Sequence, residues 1–110
     1  MSVWSRSRRR RVERQLAGLL EPDEEITVVE RLPVGGWWLT TDRALFLLEA
    51  GADPRRVPLG QISWVGMDET TRIVTIRTTK PDQVVVPIRK KSAVLDDLRR
   101  LAPPASEGQS

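Results

Sequence analysis

The stretch from Trp37 to Ala50 reads WWLTTDRALFLLEA, two apolar runs separated by the polar sequence Thr40–Arg43. Aromatic and aliphatic residues in short runs favour β-strands, so we expect one strand at Gly36–Thr40 and another at Arg43–Ala50. Only Thr41 and Asp42 separate the two strands, and such short polar side chains hydrogen-bond the backbone in tight turns. We therefore interpret this break as a structural hairpin turn, in preference to the alternative of a phosphate-binding or acid–base site.

The pattern continues on both sides of this hairpin. Pro33 and the pair Gly35-Gly36 end a preceding strand, and Pro58 indicates a strand at a sheet edge or irregularity. The further predicted strands are Ile26–Leu32, Arg56–Leu59, Gln61–Asp68, Thr71–Thr79 and Gln83–Ile88. The sequence thus predicts seven short strands with tight connections.

Helical spacing appears only near the two ends of the chain. One apolar stripe predicts a helix over about residues 8–20 and consists of Val12, Leu16, Leu19 and Leu20. A second stripe follows Ser92, a good N-cap, and consists of Val94, Leu95, Leu98 and Leu101. Pro103-Pro104 ends this helix. We divide the chain into a basic N-terminal arm, helical or disordered (1–11), one domain (12–102) and a disordered tail (103–110).

Composition narrows the range of functions. The chain has 110 residues and contains no Cys, no His and no Tyr. It therefore lacks disulfides, the commonest metal ligands and the usual near-neutral acid–base group. It also has no apolar run of the length that a membrane span needs. No apolar segment follows the basic N-terminus, so we expect that this N-terminus is not a secretory signal. We expect a cytoplasmic protein, peripheral at the membrane if it docks there, without enzymatic activity, cofactor or metal.

Charge is unevenly distributed along the chain. Residues 1–20 hold six Arg and one Glu, a net charge of +5, whereas residues 21–88 are net −4 and residues 89–100 are net +3. This asymmetry predicts a charged partner. The candidate residues for binding an anionic partner are Arg6, Arg8, Arg9, Arg10, Arg11, Arg14, Arg89, Lys90 and Lys91. The partner is an anionic membrane face or, as the alternative, nucleic acid; the basic ends can also simply be solvated or pair with the acidic middle.

The tryptophans and the acidic clusters are further candidates. We expect Trp37 to share the inward face with Leu39, and Trp38 to lie outside or at an edge. Trp38 and Trp4 are candidate interface anchors, with core or edge packing as the other interpretation of Trp38. Trp64 is interpreted as structural. The clusters Asp23–Glu25 and Asp68-Glu69 contain adjacent carboxylates on turns, which diverge and are more often solvated than catalytic or metal-binding.

The order of elements resembles that of the bacterial PH-like domains, relatives of the GRAM and pleckstrin-homology superfold. The residues that carry the resemblance are Leu16–Leu20 with Glu24–Ile26, the hairpin Leu39–Arg43, the segment Val57–Ile62 and the closing helix. The resemblance covers about residues 12–102. It implies a mainly β (α+β) fold, a seven-stranded antiparallel barrel or sandwich capped by a C-terminal α-helix, here with an extra basic N-terminal helix.

The resemblance also implies a binding scaffold without catalytic residues. Some relatives bind phosphoinositides through a basic cluster between strands one and two, but the corresponding loop here, Arg31–Gly36, has a single basic residue. The sequence therefore predicts a non-catalytic binding or assembly module that acts through protein–protein contacts, including self-association, or through weak docking to an anionic membrane face. The alternative is a nonspecific nucleic-acid-binding protein that uses the basic N-terminal helix.

Overall fold

The computed structural model describes residues 12–16, 18–81, 83–88 and 91–101. These residues form seven strands and a C-terminal helix: β1 (Ile26–Arg31), β2 (Gly36–Thr41), β3 (Ala44–Glu49), β4 (Arg55–Pro58), β5 (Ile62–Asp68), β6 (Ile73–Thr78), β7 (Gln83–Pro87) and α1 (Ala93–Leu101). A 3-10 turn at Leu59–Gln61 joins β4 to β5. The predicted strands and the predicted C-terminal helix are confirmed, and every strand boundary lies within two residues of its expected position.

The strands form two antiparallel sheets, and we call them the large and the small sheet. The large sheet has the order β1–β2–β3–β4 and the small sheet the order β5–β6–β7. Within the described residues the sheets do not join into a closed barrel, so the barrel form of the prediction is wrong and the sandwich form holds. The chain leaves β4 through Pro58 and the 3-10 turn, and β5 therefore begins a new sheet instead of pairing with β4.

The main core lies between the two sheets and under α1. The large sheet contributes Trp38, Leu45 and Leu47, and the helix contributes Val94, Leu95 and Leu98. The residues from the small sheet are Ile62, Val65, Val74, Ile76, Val84 and Val86. All of these side chains are buried, as the hydrophobic effect requires of a single modest core.

A second apolar cluster covers the outer face of the large sheet. Leu39, Phe46 and Leu48 point away from the main core and pack against Val12 and Leu16 from the N-terminal segment. This segment is one helical turn at residues 12–15, and residues 18–20 form turns. The predicted helix therefore does not continue to residue 20, because Gly18 has a φ of +87°, a left-handed conformation that ends helices. Residues 8–11 of that predicted helix lie outside the described residues.

The two adjacent tryptophans of β2 face opposite to the prediction. Trp38 is 1% exposed in the main core, whereas Trp37 is partly buried on the outer face of the large sheet. Because Trp38 is buried, its predicted role as a surface interface anchor is wrong. Alternation cannot decide which face of β2 lies inward, since both faces of this strand are apolar and covered.

Polar contacts attach α1 to the large sheet. Ser92 is the predicted N-cap, and its Oγ accepts a hydrogen bond from Leu95 N at 3.0 Å. The Glu30 carboxylate on β1 extends this cap and accepts from Ser92 Oγ (2.5 Å), Ala93 N (2.7 Å) and Val94 N (3.2 Å). It also accepts from Trp38 Nε1 at 3.1 Å. A negative charge at this end of a helix is favourable because the unpaired N–H groups and the helix dipole both attract it.

Farther along the helix, Asp97 is buried against the same sheet. Its Oδ2 accepts hydrogen bonds from Thr27 Oγ1 and Thr40 Oγ1, both at 2.7 Å. Its other oxygen pairs with Arg100. The buried carboxylate is therefore satisfied by the chain itself and holds the helix across β1 and β2.

Candidate functional site

The β2–β3 hairpin uses its polar residues to hold its own backbone. The turn residues are Asp42 and Arg43, one position later than predicted. Thr41 Oγ1 accepts hydrogen bonds from Arg43 N at 3.0 Å and Ala44 N at 2.9 Å. Asp42 Oδ1 accepts from Glu25 N at 3.1 Å and so attaches the segment before β1 to the turn. These contacts agree with the structural interpretation of the hairpin.

The acidic segment before β1 is also paired within the chain. The Arg43 guanidinium binds Glu21 at 2.6 Å and Asp23 at 2.7 Å. The hydrogen bond and charge of Arg43 lower the pKa of Asp23 below its ordinary value. These ion pairs are exposed, and such pairs contribute little to stability.

Glu24 is the buried member of this segment. Its carboxylate accepts from Glu21 N at 3.0 Å, from Thr41 Oγ1 and from Arg56 Nη2 at 3.2 Å. Burial opposes ionisation, but these three donors and the Arg56 charge outweigh it and lower the pKa of Glu24 from 4.5. Because Arg56 also lies 5.6 Å from the centre of the Phe46 ring, this group joins the hairpin, β4 and the acidic segment before β1.

No metal centre is visible in the part of the chain that the structure describes, where no three His, Cys, Asp or Glu side chains are grouped closely enough to hold an ion. Asp68, in the second acidic cluster, instead caps a turn. Its Oδ1 accepts from Thr70 N at 2.8 Å and Thr71 N at 3.3 Å.

Most of the basic residues that the sequence singled out lie outside the described residues. These are Arg6, Arg8, Arg9, Arg10, Arg11, Arg89 and Lys90, together with Trp4. The described members of the set, Arg14 and Lys91, are both exposed. Binding of an anionic partner by this group, whether membrane or nucleic acid, therefore stays a prediction.

A different surface, on the small sheet, has no cover among the residues that the structure describes. Side chains alternate along a strand, so residues that do not enter the main core point to the opposite face. The residues of this outer face are Trp64, Gly66 and Asp68 on β5, Ile73, Thr75 and Arg77 on β6, and Gln83, Val85 and Pro87 on β7. We call this surface the Trp64 face.

Register places these nine residues in three rows across the sheet. Trp64, Arg77 and Gln83 form one end, Gly66, Thr75 and Val85 form the middle, and Asp68, Ile73 and Pro87 form the other end. The centre of the face is apolar or weakly polar, and its formally charged residues are Arg77 and Asp68, one at each end.

The Trp64 side chain lies along the sheet over Gly66. A Cβ at position 66 would collide with the indole ring, so the glycine leaves the space that the ring occupies. The centre of the ring also lies 5.0 Å from the Arg77 guanidinium, a cation–π distance. Gly66 and Arg77 thus fix the position of the ring, and Trp64 is partly buried.

No described residue outside the small sheet and its turns lines the depression on this face. It has a volume of about 530 Å³ and is lined by Trp64, Gly66, Met67, Asp68, Thr71, Ile73 and Thr75. Val85, in the middle row, is 48% exposed. Such an arrangement offers an aromatic and aliphatic surface with charged ends, which suits binding of a protein surface.

Sequence reasoning missed this surface. It interpreted Trp64 as structural, and alternation did not show that the side of β5–β7 opposite the core lacks a cover among the described residues. One signal was present: Val85 is the middle of three consecutive valines in a strand whose neighbours alternate, so it had to point outward with Val84 and Val86 inward.

The fold can be compared with known proteins on this basis. No family model and no curated protein matches the chain. A solved structure of a DUF1696 family protein with a pleckstrin-homology domain, from Shewanella loihica PV-4, superimposes with a TM-score of 0.62. It is 13% identical in sequence, and the match covers 84% of this chain and 88% of that chain. The chain therefore has a PH-like fold. None of the helices in the described ranges is long and apolar enough to span a bilayer.

Proposed function

We propose that this chain is a non-catalytic, PH-like protein-binding module and that the Trp64 face is its binding surface. The observation that carries the proposal is the contrast between the two outer sheet faces. In the large sheet the outer face is covered by Val12 and Leu16, whereas Val85 in the middle row of the Trp64 face is 48% exposed. An aromatic anchor beside an apolar or weakly polar centre, with charges at the ends, is a common composition of a protein interface.

The absence of catalysis is supported by chemistry. The chain has no His, Cys or Tyr. Among the described carboxylates, Glu24, Glu30 and Asp97 accept hydrogen bonds that hold the hairpin and the helix. Arg43 pairs with Glu21 and Asp23. The structural contacts that these side chains make account for their positions.

The chain offers a matched pair of variants for the test. Val85→Lys places a charge in the middle row of the Trp64 face, and Val34→Lys makes the same change at the β1–β2 turn, where Val34 is 66% exposed. Both changes are at exposed positions and are expected to leave folding intact. Affinity capture from a lysate of the source cells, followed by mass spectrometry, should recover a partner with wild type and with Val34→Lys but not with Val85→Lys.

Equal recovery of the same partner by Val85→Lys would contradict the proposal, because a buried lysine ammonium in an apolar interface is strongly unfavourable. Circular dichroism and the urea midpoint of each variant check that the fold is retained.

A further inference from the structure

The Trp64 face carries opposite charges at its two ends. Arg77 lies at one end, with its guanidinium over the Trp64 ring on β5. Asp68 lies at the other end of β5 and is exposed. Asp68 is four residues after Trp64 on β5, which corresponds to about 13 Å along a strand. The two charges are therefore well separated on one side of the sheet.

This arrangement is self-complementary under one two-fold rotation. Consider two copies whose Trp64 faces are stacked on each other, with a two-fold axis that lies between them and runs perpendicular to the strands. This rotation places the Arg77 end of each face against the Asp68 end of the other. Arg77 over β5 of one copy then faces Asp68 on β5 of the second copy, and the rotation repeats this pair. Two copies of one patch must match in this way in any two-fold dimer.

The same rotation also matches the apolar rows. The Trp64 end of one copy lies against the end that contains Ile73 and Pro87 in the second copy, and the middle rows with Val85 face each other. A two-fold axis along the strands would instead place each end against the same end of the second copy and β5 against β7, so that Asp68 would face Pro87 and neither charge would meet its opposite. Only the axis across the strands forms the two attractive pairs.

From this geometry we infer that the Trp64 face binds a second copy of this chain, in a two-fold dimer with two Arg77–Asp68 pairs. The inference rests on the proposed function and names its partner. The strands of the small sheet have seven, six and five residues, so the contact is at or below the low end of the range of about 1,200–2,000 Å² for stable interfaces. The dimer is accordingly weak, forms at high protein concentration and dissociates more readily in salt.

The test uses the full chain and two charge reversals. Arg77→Glu and Asp68→Arg each create two repulsive pairs in a homodimer, and sedimentation equilibrium should show each dimer weakened by roughly tenfold or more relative to wild type. Mixing the two variants in equal amounts should restore association, because both pairs in the mixed dimer are then attractive. A purely structural role of either residue would not produce this recovery.

A further variant controls for misfolding of Asp68→Arg, because Asp68 Oδ1 also caps a turn. Asp68→Asn keeps that acceptor and removes the charge, and it should weaken the dimer with an unchanged urea midpoint. Wild type that stays monomeric at the highest soluble concentration overturns the inference, as does a mixture that associates no better than each variant alone.

The two proposals fail differently. If wild type is monomeric but Val85→Lys still abolishes capture of another protein, the Trp64 face binds a different partner and only the dimer is wrong. If Val85→Lys changes neither capture nor self-association, the Trp64 face is not a binding surface and both proposals are wrong.

Discussion

The outer faces of the two sheets differ in solvent exposure. Phe46 and Leu39, on the outer face of the large sheet, are 0% exposed beneath the N-terminal segment. Val85, on the outer face of the small sheet, is 48% exposed. The polar contacts of Glu24, Glu30 and Asp97 also converge on the large sheet. The large sheet is thus the structural centre of the domain, whereas no layer among the described residues covers the outer face of the small sheet.

The strand sequences reflect this difference. β3 reads ALFLLE and is buried at five consecutive positions, as expected when both faces of a strand are covered. β7 reads QVVVP and alternates between exposed and buried residues. A continuous apolar run therefore indicates that a second layer covers the sheet, whereas alternation indicates one covered face and one available for contact.

The largest effect should come from opening the covered face. Phe46→Ala removes a fully buried ring from between the large sheet and the N-terminal segment, and we expect the free energy of unfolding to fall by about 3–5 kcal/mol. Val85→Ala on the small sheet should change it by less than about 1 kcal/mol, because the side chain is already half exposed. Urea denaturation measures both, and similar losses for the two variants would remove the contrast between the faces.

A smaller loss should follow from detaching the helix from the large sheet. Glu30→Ala removes the acceptor of Ser92, Ala93 and Val94 at the helix N-terminus and leaves the buried Trp38 Nε1 without its partner. An unpaired buried donor and a lost cap together cost about 2–3 kcal/mol. The change in the urea midpoint checks this value, with exposed Glu49→Ala at the end of β3 as the control. A loss no larger than that of the control would show that the cap contributes little.

The smallest expected effect is a pH dependence that originates on the large sheet. The pKa of Glu24 is lower in the folded chain than its ordinary value of 4.5, so the unfolded chain binds the proton more readily. The stability contributed by Glu24 is complete above pH 4.5 and is lost as the pH falls through the folded pKa. Thermal unfolding between pH 7 and pH 3 should show a shallower acid decline for Glu24→Gln than for wild type, and parallel declines would contradict the assignment.

Much of the fold was predictable because Gly and Pro mark the strand ends. Other features depend on contacts distant in sequence. The cap on α1 comes from Glu30, which is 62 residues before Ser92, and no local pattern announces such a pair. The facing of Trp37 and Trp38 was predicted wrongly because both faces of β2 are apolar. Helical spacing around Leu16 was overridden by the left-handed Gly18.

The proposed binding face was harder to predict than the fold for a related reason. Alternation shows that Trp64 and Val85 share one side of the small sheet, but it does not show whether another layer covers that side. Only the three-dimensional arrangement places the N-terminal segment on the large sheet, over Phe46, and shows no corresponding cover among the described residues for the small sheet.

The most direct test of the Trp64 face as a binding surface is the concentration dependence of amide chemical shifts in isotopically labelled protein. On dilution, we predict that the amides of Trp64, Gly66, Thr75 and Val85 shift together, while those of Leu39 and Phe46 stay in place. Shifts centred on the large sheet, or none at the highest soluble concentration, would contradict the account of a face that binds a second copy.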